Sequence, residues 1–235
     1  LGAFNGTLSK IGATKLGGLV IEEAVKRAGI QKEAVNEVIM GMVLPCGYGQ
    51  NPAKQAAVAA GMPFETECLT INKVCGSGMK AIMLAHDLLI AGSATVAVAG
   101  GMESMSNAPH LLPGARAGYR FGHAKVIDHM AFDGLEDAYE GAAMGVYAET
   151  CADKYSFDRE AQDAYAIGSL KKAQAAIESG AFASEITPVE VAQRSGTVMI
   201  DTDEQPMKAR FDKIPQLRPA FKKNGTVTAA NASSI

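Results

Sequence analysis

With 235 residues the chain has room for one large domain or two modest ones, and an apolar fraction of 48% supports a packed core. Twenty-two Lys and Arg against 25 Asp and Glu leave a net charge of −3, so no broad basic field exists to attract nucleic acid. The richest apolar run, 91–101, is broken by Ser93 and Thr95, and no membrane-spanning segment is expected.

The first six residues carry neither a basic region nor an apolar one, so no secretory signal is read there. Cys46, Cys68, Cys75 and Cys151 are too irregularly spaced for a disulfide framework and include no C-x-x-C pair, which predicts free thiols and no metal site. Twenty-five glycines and no tryptophan point to close helix-on-sheet packing in a layered α/β fold.

In chain order, Leu16, Leu19, Val20, Ala24 and Val25 recur at helical spacing over 14–28, with Lys26 and Arg27 in the last turn and Gly29 as the stop. A buried strand is read at 38–43. Asn51-Pro52 supplies a cap and a first-turn proline for a short helix ending at Gly61. A β-branched run over 67–74, a helix over 78–91 closed by Gly92 and a strand over 94–99 form a βαβ unit, so the sheet is at least partly parallel. From 102 to 141 the chain is rich in Gly, Pro, His and Arg without periodicity, far longer than a usual connection of about 4–6 residues. Helices return at 142–154 and at 159–179, the second led by Ser156 and Asp158 and closed by Gly180. Strands follow at 186–191, 198–201 and 226–230.

The stretch Asn72-Lys-Val-Cys75-Gly-Ser-Gly78 places a cysteine on the sharp turn between a strand and a helix, the geometry of a nucleophile elbow. A thiol there faces unpaired N–H groups and the positive end of the helix dipole, which favour the thiolate. Gly76 and Gly78 allow the tight turn, and neighbouring N–H groups are candidates for an oxyanion hole. A lone cysteine is more often a small buried residue, roughly four times in five before its context is weighed. Gly76-x-Gly78-x-x-Ala81 also spells a dinucleotide-binding fingerprint, but Asn72-Lys73 interrupts the apolar strand that motif requires, and Glu103 is poorly placed as its acidic residue. His86 lies 11 residues beyond Cys75, roughly 16 Å along the helix, too far to be its base. His110, His123 and His129 suit no zinc motif, while Glu136-Asp137 and 201–204 read as solvated turns and caps.

Ile71-Asn-Lys-Val-Cys75-Gly-Ser-Gly-Met-Lys-Ala-Ile82 followed by Gly100-Gly-Met-Glu-Ser-Met-Ser-Asn-Ala-Pro109 resembles the thiolase family, in its acetyl-CoA acetyltransferase branch. The resemblance extends through Leu44-Pro-Cys-Gly-Tyr-Gly-Gln-Asn-Pro-Ala-Lys-Gln-Ala56, Asp133-Gly-Leu, Leu217-Arg-Pro-Ala-Phe221 and Asn224-Gly-Thr-Val-Thr-Ala-Ala-Asn-Ala-Ser-Ser234, so it covers the whole chain.

The resemblance implies a layered αβαβα fold, of which this chain is the N-terminal half, with a mixed, mostly parallel sheet and an inserted loop domain. The expected division is a core over 1–101, a CoA-binding loop domain over 102–224, and the start of a last core strand over 225–235. It implies that Cys75 takes an acyl group from acyl-CoA as a thioester, which an acetyl-CoA enolate attacks to give acetoacetyl-CoA, or that the reverse thiolysis runs. Met144, Phe221, Ala229 and Ser233 match positions that contact CoA in relatives. Coenzyme A enters as substrate, no separate cofactor or metal is expected, and the complete protein is expected to be a homodimer or homotetramer. A cytoplasmic setting is expected, although mitochondrial and peroxisomal relatives share these motifs. Alternatives are a degradative 3-ketoacyl-CoA thiolase of broader chain length and a non-catalytic CoA-binding module. Ala143 stands where biosynthetic members often carry His, which blurs the acyl-chain preference. By the same resemblance the chain is expected to be a fragment, inactive alone. Relatives have a strand before the Gly2-Ala-Phe segment. Beyond the Asn-Ala-Ser motif they continue with a histidine that activates the nucleophile, a second cysteine that moves the α-proton, and an asparagine that positions the oxyanion-hole water.

Overall fold

The computed structural model describes residues 1–194 and 196–235, which fall into two compact units. One comprises Ser9–Gly134 with Val189–Val198, and the other Leu1–Leu8, Leu135–Pro188 and Met199–Ile235.

In the first unit the order is helix α1 (Ala13–Ala28), strand β1 (Glu37–Gly41), helix α2 (Pro52–Ala59), strand β2 (Glu67–Ile71), helix α3 (Ser77–Ala91) and strand β3 (Ala97–Gly101). The sheet order is β2-β1-β3, and both pairings are parallel. The βαβ unit foreseen from the sequence is therefore formed by β2, α3 and β3, with β1 inserted between its strands. β1 is the central strand and is apolar on both faces, as a strand covered on both sides must be. Val38 and Met40 pack with Ile21 and Val25 of α1 and with Ala53, Ala56 and Ala57 of α2. Ile39, pointing the other way, packs with Ala81 and Ala85 of α3. The result is a helix, sheet, helix sandwich.

Local signals set most ends. Gly29 closes α1 at φ +66°, and the Asn51 side chain accepts from the Lys54 N–H at the start of α2, with Pro52 in its first turn. Several strand boundaries differ from those read in the sequence. β1 stops at Gly41 and β2 at Ile71. β3 starts at Ala97 and not at 94, because the Asn36 carboxamide oxygen accepts from the Thr95 and Val96 N–H groups and holds them in a turn.

The window Val74–Ala91 has a mean hydropathy of 1.3 over 18 residues and by length and composition alone is apolar enough to cross a membrane, although no uninterrupted apolar run marks it. In this fold Ser77, Ala81 and Ala85 of that window are buried, Ala81 and Ala85 with Ile39 of the sheet. The segment after β3 is irregular, as expected. It contains a two-residue antiparallel ladder between His110–Leu111 and Ile127–Asp128 and a π-helical turn at Met130–Leu135.

The second unit is built on helices α4 (Met144–Tyr155) and α5 (Arg159–Ser179). Asp158 caps α5 by accepting from the Ala161 N–H, whereas Ser156 ends α4 in the left-handed region and does not cap α5. The strands expected at 186–191 and 198–201 form at Val189–Gln193 and Gly196–Ile200, and of these residues all but Met199 and Ile200 belong to the first unit. The strand expected at 226–230 does not form. The Thr226 and Val227 N–H groups donate to the Glu149 carboxylate and the Thr228 N–H to Asn231 Oδ1, so no ladder partner is left for them to seek.

Candidate active site

The elbow lies in the first unit, between the last residue of β2 and the first of α3. Val74, just before Cys75, adopts φ +48°. For a β-branched side chain this is a true outlier, costing on the order of 1–3 kcal/mol. Its neighbours hold it there. The Val74 N–H donates to Asn72 Oδ1 at 2.8 Å, and the Val74 carbonyl accepts from the Ser77 N–H at 3.1 Å and from the Ser77 hydroxyl at 2.6 Å. That same hydroxyl accepts from the Lys73 N–H at 2.8 Å, so the buried Ser77 side chain closes the turn from both ends.

Helix α3 meets the sheet through backbone. A Cβ on Gly41 would lie 2.5 Å from the Ser77 carbonyl carbon and 2.6 Å from the Gly78 nitrogen, so only glycine lets β1 run under the first helical turn. The thiol of Cys75 is exposed, as are those of Cys46 and Cys151. An exposed thiol two positions ahead of a helix N-terminus can attack a carbonyl brought to it. The oxyanion-hole expectation is narrowed, because the Gly76 N–H is engaged by the Lys73 carbonyl and the Ser77 N–H by that of Val74.

Behind the elbow, half-buried Glu103 accepts from the N–H groups of Val43 at 2.7 Å and Leu44 at 3.3 Å. Burial pushes this carboxyl up, and the two amides only partly offset it. His129 is buried, with Nδ1 at 2.5 Å from Asp133 and Nε2 accepting from the Cys46 N–H at 3.4 Å. An amide N–H can only donate, so Nδ1 carries the ring hydrogen. Glu103, which the sequence reading considered only as a poor dinucleotide ligand, is thus a loop anchor. His86 is exposed beside Asp87, His110 and His123 are exposed, and among the described residues no cluster of three metal-ligating side chains occurs.

The other four candidate residues lie in the second unit, where all are exposed. Met144 opens α4, and the Phe221 ring lies against Gly145, where a Cβ would fall 2.3 Å from the ring. Ala229 sits in the turn made by Thr228 and Asn231, with Ser233 two residues beyond. Two carboxylates fix this turn. Glu149, 2% exposed, accepts from the Thr226 and Val227 N–H groups and the Thr226 hydroxyl, while Asp163 accepts from Asn231 Nδ2 and is paired with Arg159. Burial pushes Glu149 up, but these donors and Lys222 outweigh it and hold the carboxyl below its usual range. The solvated reading of 201–204 fails at Glu204, whose carboxylate accepts from the Ala3 and Thr7 N–H groups and Lys208 and is held down at about 2.

The family model for the thiolase N-terminal domain matches residues 1–235. An acetyl-CoA acetyltransferase of Cupriavidus necator is 53% identical over 237 residues, covering all of this chain and 60% of that protein. The corresponding protein of Schizosaccharomyces pombe is 47% identical with the same coverage. Among solved structures, a thiolase of Ascaris suum in complex with coenzyme A aligns with a TM-score of 0.93 at 42% identity, covering all of this chain and 60% of that one. An acetyl-CoA acetyltransferase of Bacillus anthracis aligns at 0.95 with 39% identity and 59% of its chain covered. The chain spans about 60% of the length of these curated relatives. Its sequence over its full length and its α/β architecture make the chain a member of the thiolase family, with the thiolase-like fold.

Proposed function

We propose that the chain carries the acyl-accepting part of an acetyl-CoA C-acetyltransferase. Cys75 Sγ, as thiolate, adds to the thioester carbonyl of acetyl-CoA; the tetrahedral adduct expels CoA thiolate and leaves acetyl-Cys75. The α-carbon of a second acetyl-CoA, deprotonated to its enolate, then attacks that thioester, releasing acetoacetyl-CoA and the Cys75 thiolate. Run backwards, the same steps cleave acetoacetyl-CoA with CoA. The observation that carries the reading is the exposed Cys75 thiol on a strand-to-helix elbow locked by Ser77 and Asn72.

Met144, Phe221, Ala229 and Ser233 are assigned to CoA, because a pantetheine arm is gripped by apolar and backbone surface and needs no basic field. Enolate formation needs an acid/base group that the resemblance places in the part of the relatives this chain does not span. The same resemblance places there the histidine that activates the nucleophile, so acylation and turnover are both assigned to the complete protein. The homo-oligomeric state of the complete protein follows the same resemblance, while the direction in which it runs is set by metabolite levels and chain-length preference.

The test is peptide mapping of the complete protein after brief exposure to acetyl-CoA, with Cys75→Ala as control. One acetyl group on Cys75, absent from the control, supports the assignment. No adduct, or equal labelling of the exposed Cys46 and Cys151, overturns it, and CoA binding without an adduct would leave a binding module.

A further inference from the structure

Three elements meet behind the elbow, and their hydrogen bonds run in series. The loop after β1 has three N–H donors between 43 and 46, since Pro45 has none, and each is taken by a side chain. Val43 and Leu44 donate to Glu103, and Cys46 donates to His129, whose other ring nitrogen is held by Asp133. With its amide clamped, the Val43 carbonyl has a fixed position and accepts from Asn72 Nδ2 at 3.3 Å. The other end of the same carboxamide, Oδ1, accepts from the N–H of Val74, the residue in the left-handed region beside the nucleophile.

We infer that Glu103 is a positioning residue for Cys75, acting through the Val43 peptide and the Asn72 carboxamide, with His129 and Asp133 steadying the far end of the same loop. A carboxamide has two distinct ends, and here each has one task. Nδ2 reads the position of the β1 loop and Oδ1 imposes it on the elbow. Glu103 suits the anchoring end because one carboxylate accepts from two successive amides, which a neutral side chain of that size does less well. If the anchor is released, the Val43 carbonyl drifts, the carboxamide turns, and Val74 relaxes towards ordinary backbone, carrying Cys75 away from the helix N-terminus.

The inference rests on the reading of Cys75 as the acyl acceptor, but its test does not use acetyl-CoA. Alkylation of the intact chain by iodoacetamide is followed at Cys75 and, in the same molecule, at the exposed Cys151 of the other unit as internal reference. Glu103→Gln is expected to slow Cys75 relative to Cys151 on the order of fivefold to tenfold, the effect of one lost charge-assisted hydrogen bond. Asn72→Ala should do at least as much. Asn72→Asp, which keeps the Oδ1 acceptor but loses the Nδ2 donor, should also slow Cys75. The double variant Glu103→Gln/Asn72→Ala should be no slower than the slower single variant, because both cut one relay.

A wild-type rate for Asn72→Asp, or additive effects in the double variant, overturns the inference, as does a lower melting temperature in Glu103→Gln with an unchanged ratio of Cys75 to Cys151. The exposed Asn72 variants keep the test decisive even if Glu103→Gln does not fold. Absence of acetyl transfer in the wild-type protein together with slowed alkylation in these variants would remove the proposed function and leave the relay standing, and wild-type acetyl transfer with unchanged alkylation in the variants would do the reverse.

Discussion

Glu149 offers a test of the second unit worked from its contacts. Its carboxylate receives the Thr226 N–H at 2.9 Å on both oxygens, the Val227 N–H at 2.7 Å and the Thr226 hydroxyl at 3.1 Å, in a site 2% exposed. In Glu149→Ala two inward-facing amides lose the acceptor they share, each costing about 1–3 kcal/mol, and a cavity replaces the side chain, so a loss of about 3–5 kcal/mol is expected. Glu149→Gln keeps one oxygen but turns an NH₂ towards donors, and should cost about 1–2 kcal/mol. The gap between wild type and the Gln variant also depends on pH. The folded state holds the Glu149 carboxyl below its ordinary value of 4.5, so the ionised form stabilises the unit fully above 4.5 and that contribution fades as pH falls through the lower folded value. The Gln variant does not titrate there, so the gap should close on acidification. Urea unfolding between pH 3 and pH 7 reads the stabilities, and hydrogen exchange at the Thr226 and Val227 amides reads the local opening, in approximate steps of one pH unit. Equal costs for Ala and Gln at neutral pH, or a gap that is the same at both ends of the range, would refute the reasoning.

Gly41→Ala should destabilise the first unit by about 1–3 kcal/mol in urea unfolding, because its methyl would meet the Ser77 and Gly78 backbone at 2.5–2.6 Å and backbone cannot swing aside. Glu37→Gln should stabilise that unit. Burial and the cross-strand Glu67 push the Glu37 carboxyl up, so the fold binds its proton more tightly than the unfolded chain and stability drops as pH rises through 4.5 and the higher folded value. The gain, about 0.5–1 kcal/mol at pH 7, should vanish below pH 4.5, and thermal melts at the two pH values check it. Gly145→Ala should weaken CoA binding by about tenfold in calorimetry, because the added methyl would displace the Phe221 ring assigned to CoA.

What the sequence showed plainly was written in neighbouring residues. Gly29, Asn51-Pro52, Asp158 and Gly180 are local punctuation, and each marks its helix end where expected. The elbow was equally local, since Cys75 and its glycines lie within one turn. Misreadings arose where a distant side chain took over backbone groups. Thr95 and Val96 look like strand but are claimed by Asn36, 59 and 60 positions away. Thr226 and Val227 look like strand but are claimed by Glu149 across 77 and 78 positions. The anchoring role of Glu103 likewise depends on amides 59 and 60 positions back. Spacing arguments do not reach that far, because nothing near Glu103 or Glu149 in the chain distinguishes them from surface carboxylates.

Those two residues solve one physical problem in the same way. A segment that presents reactive or ligand-binding atoms cannot lie within a sheet ladder, where both backbone edges are occupied, yet its inward N–H groups still need acceptors once they leave water. A single carboxylate has enough lone pairs for two or three of them at once and so replaces a stretch of ladder with one side chain. Glu103 does this for the loop that steadies Asn72, and Glu149 does it for the turn bearing Ala229. Both therefore carry the cost of burial that an exposed carboxylate such as Glu22, paired with Lys32, avoids. It follows that neutralising Glu103 or Glu149 should disturb the candidate site far more than neutralising Glu22, although by sequence type the three are the same residue.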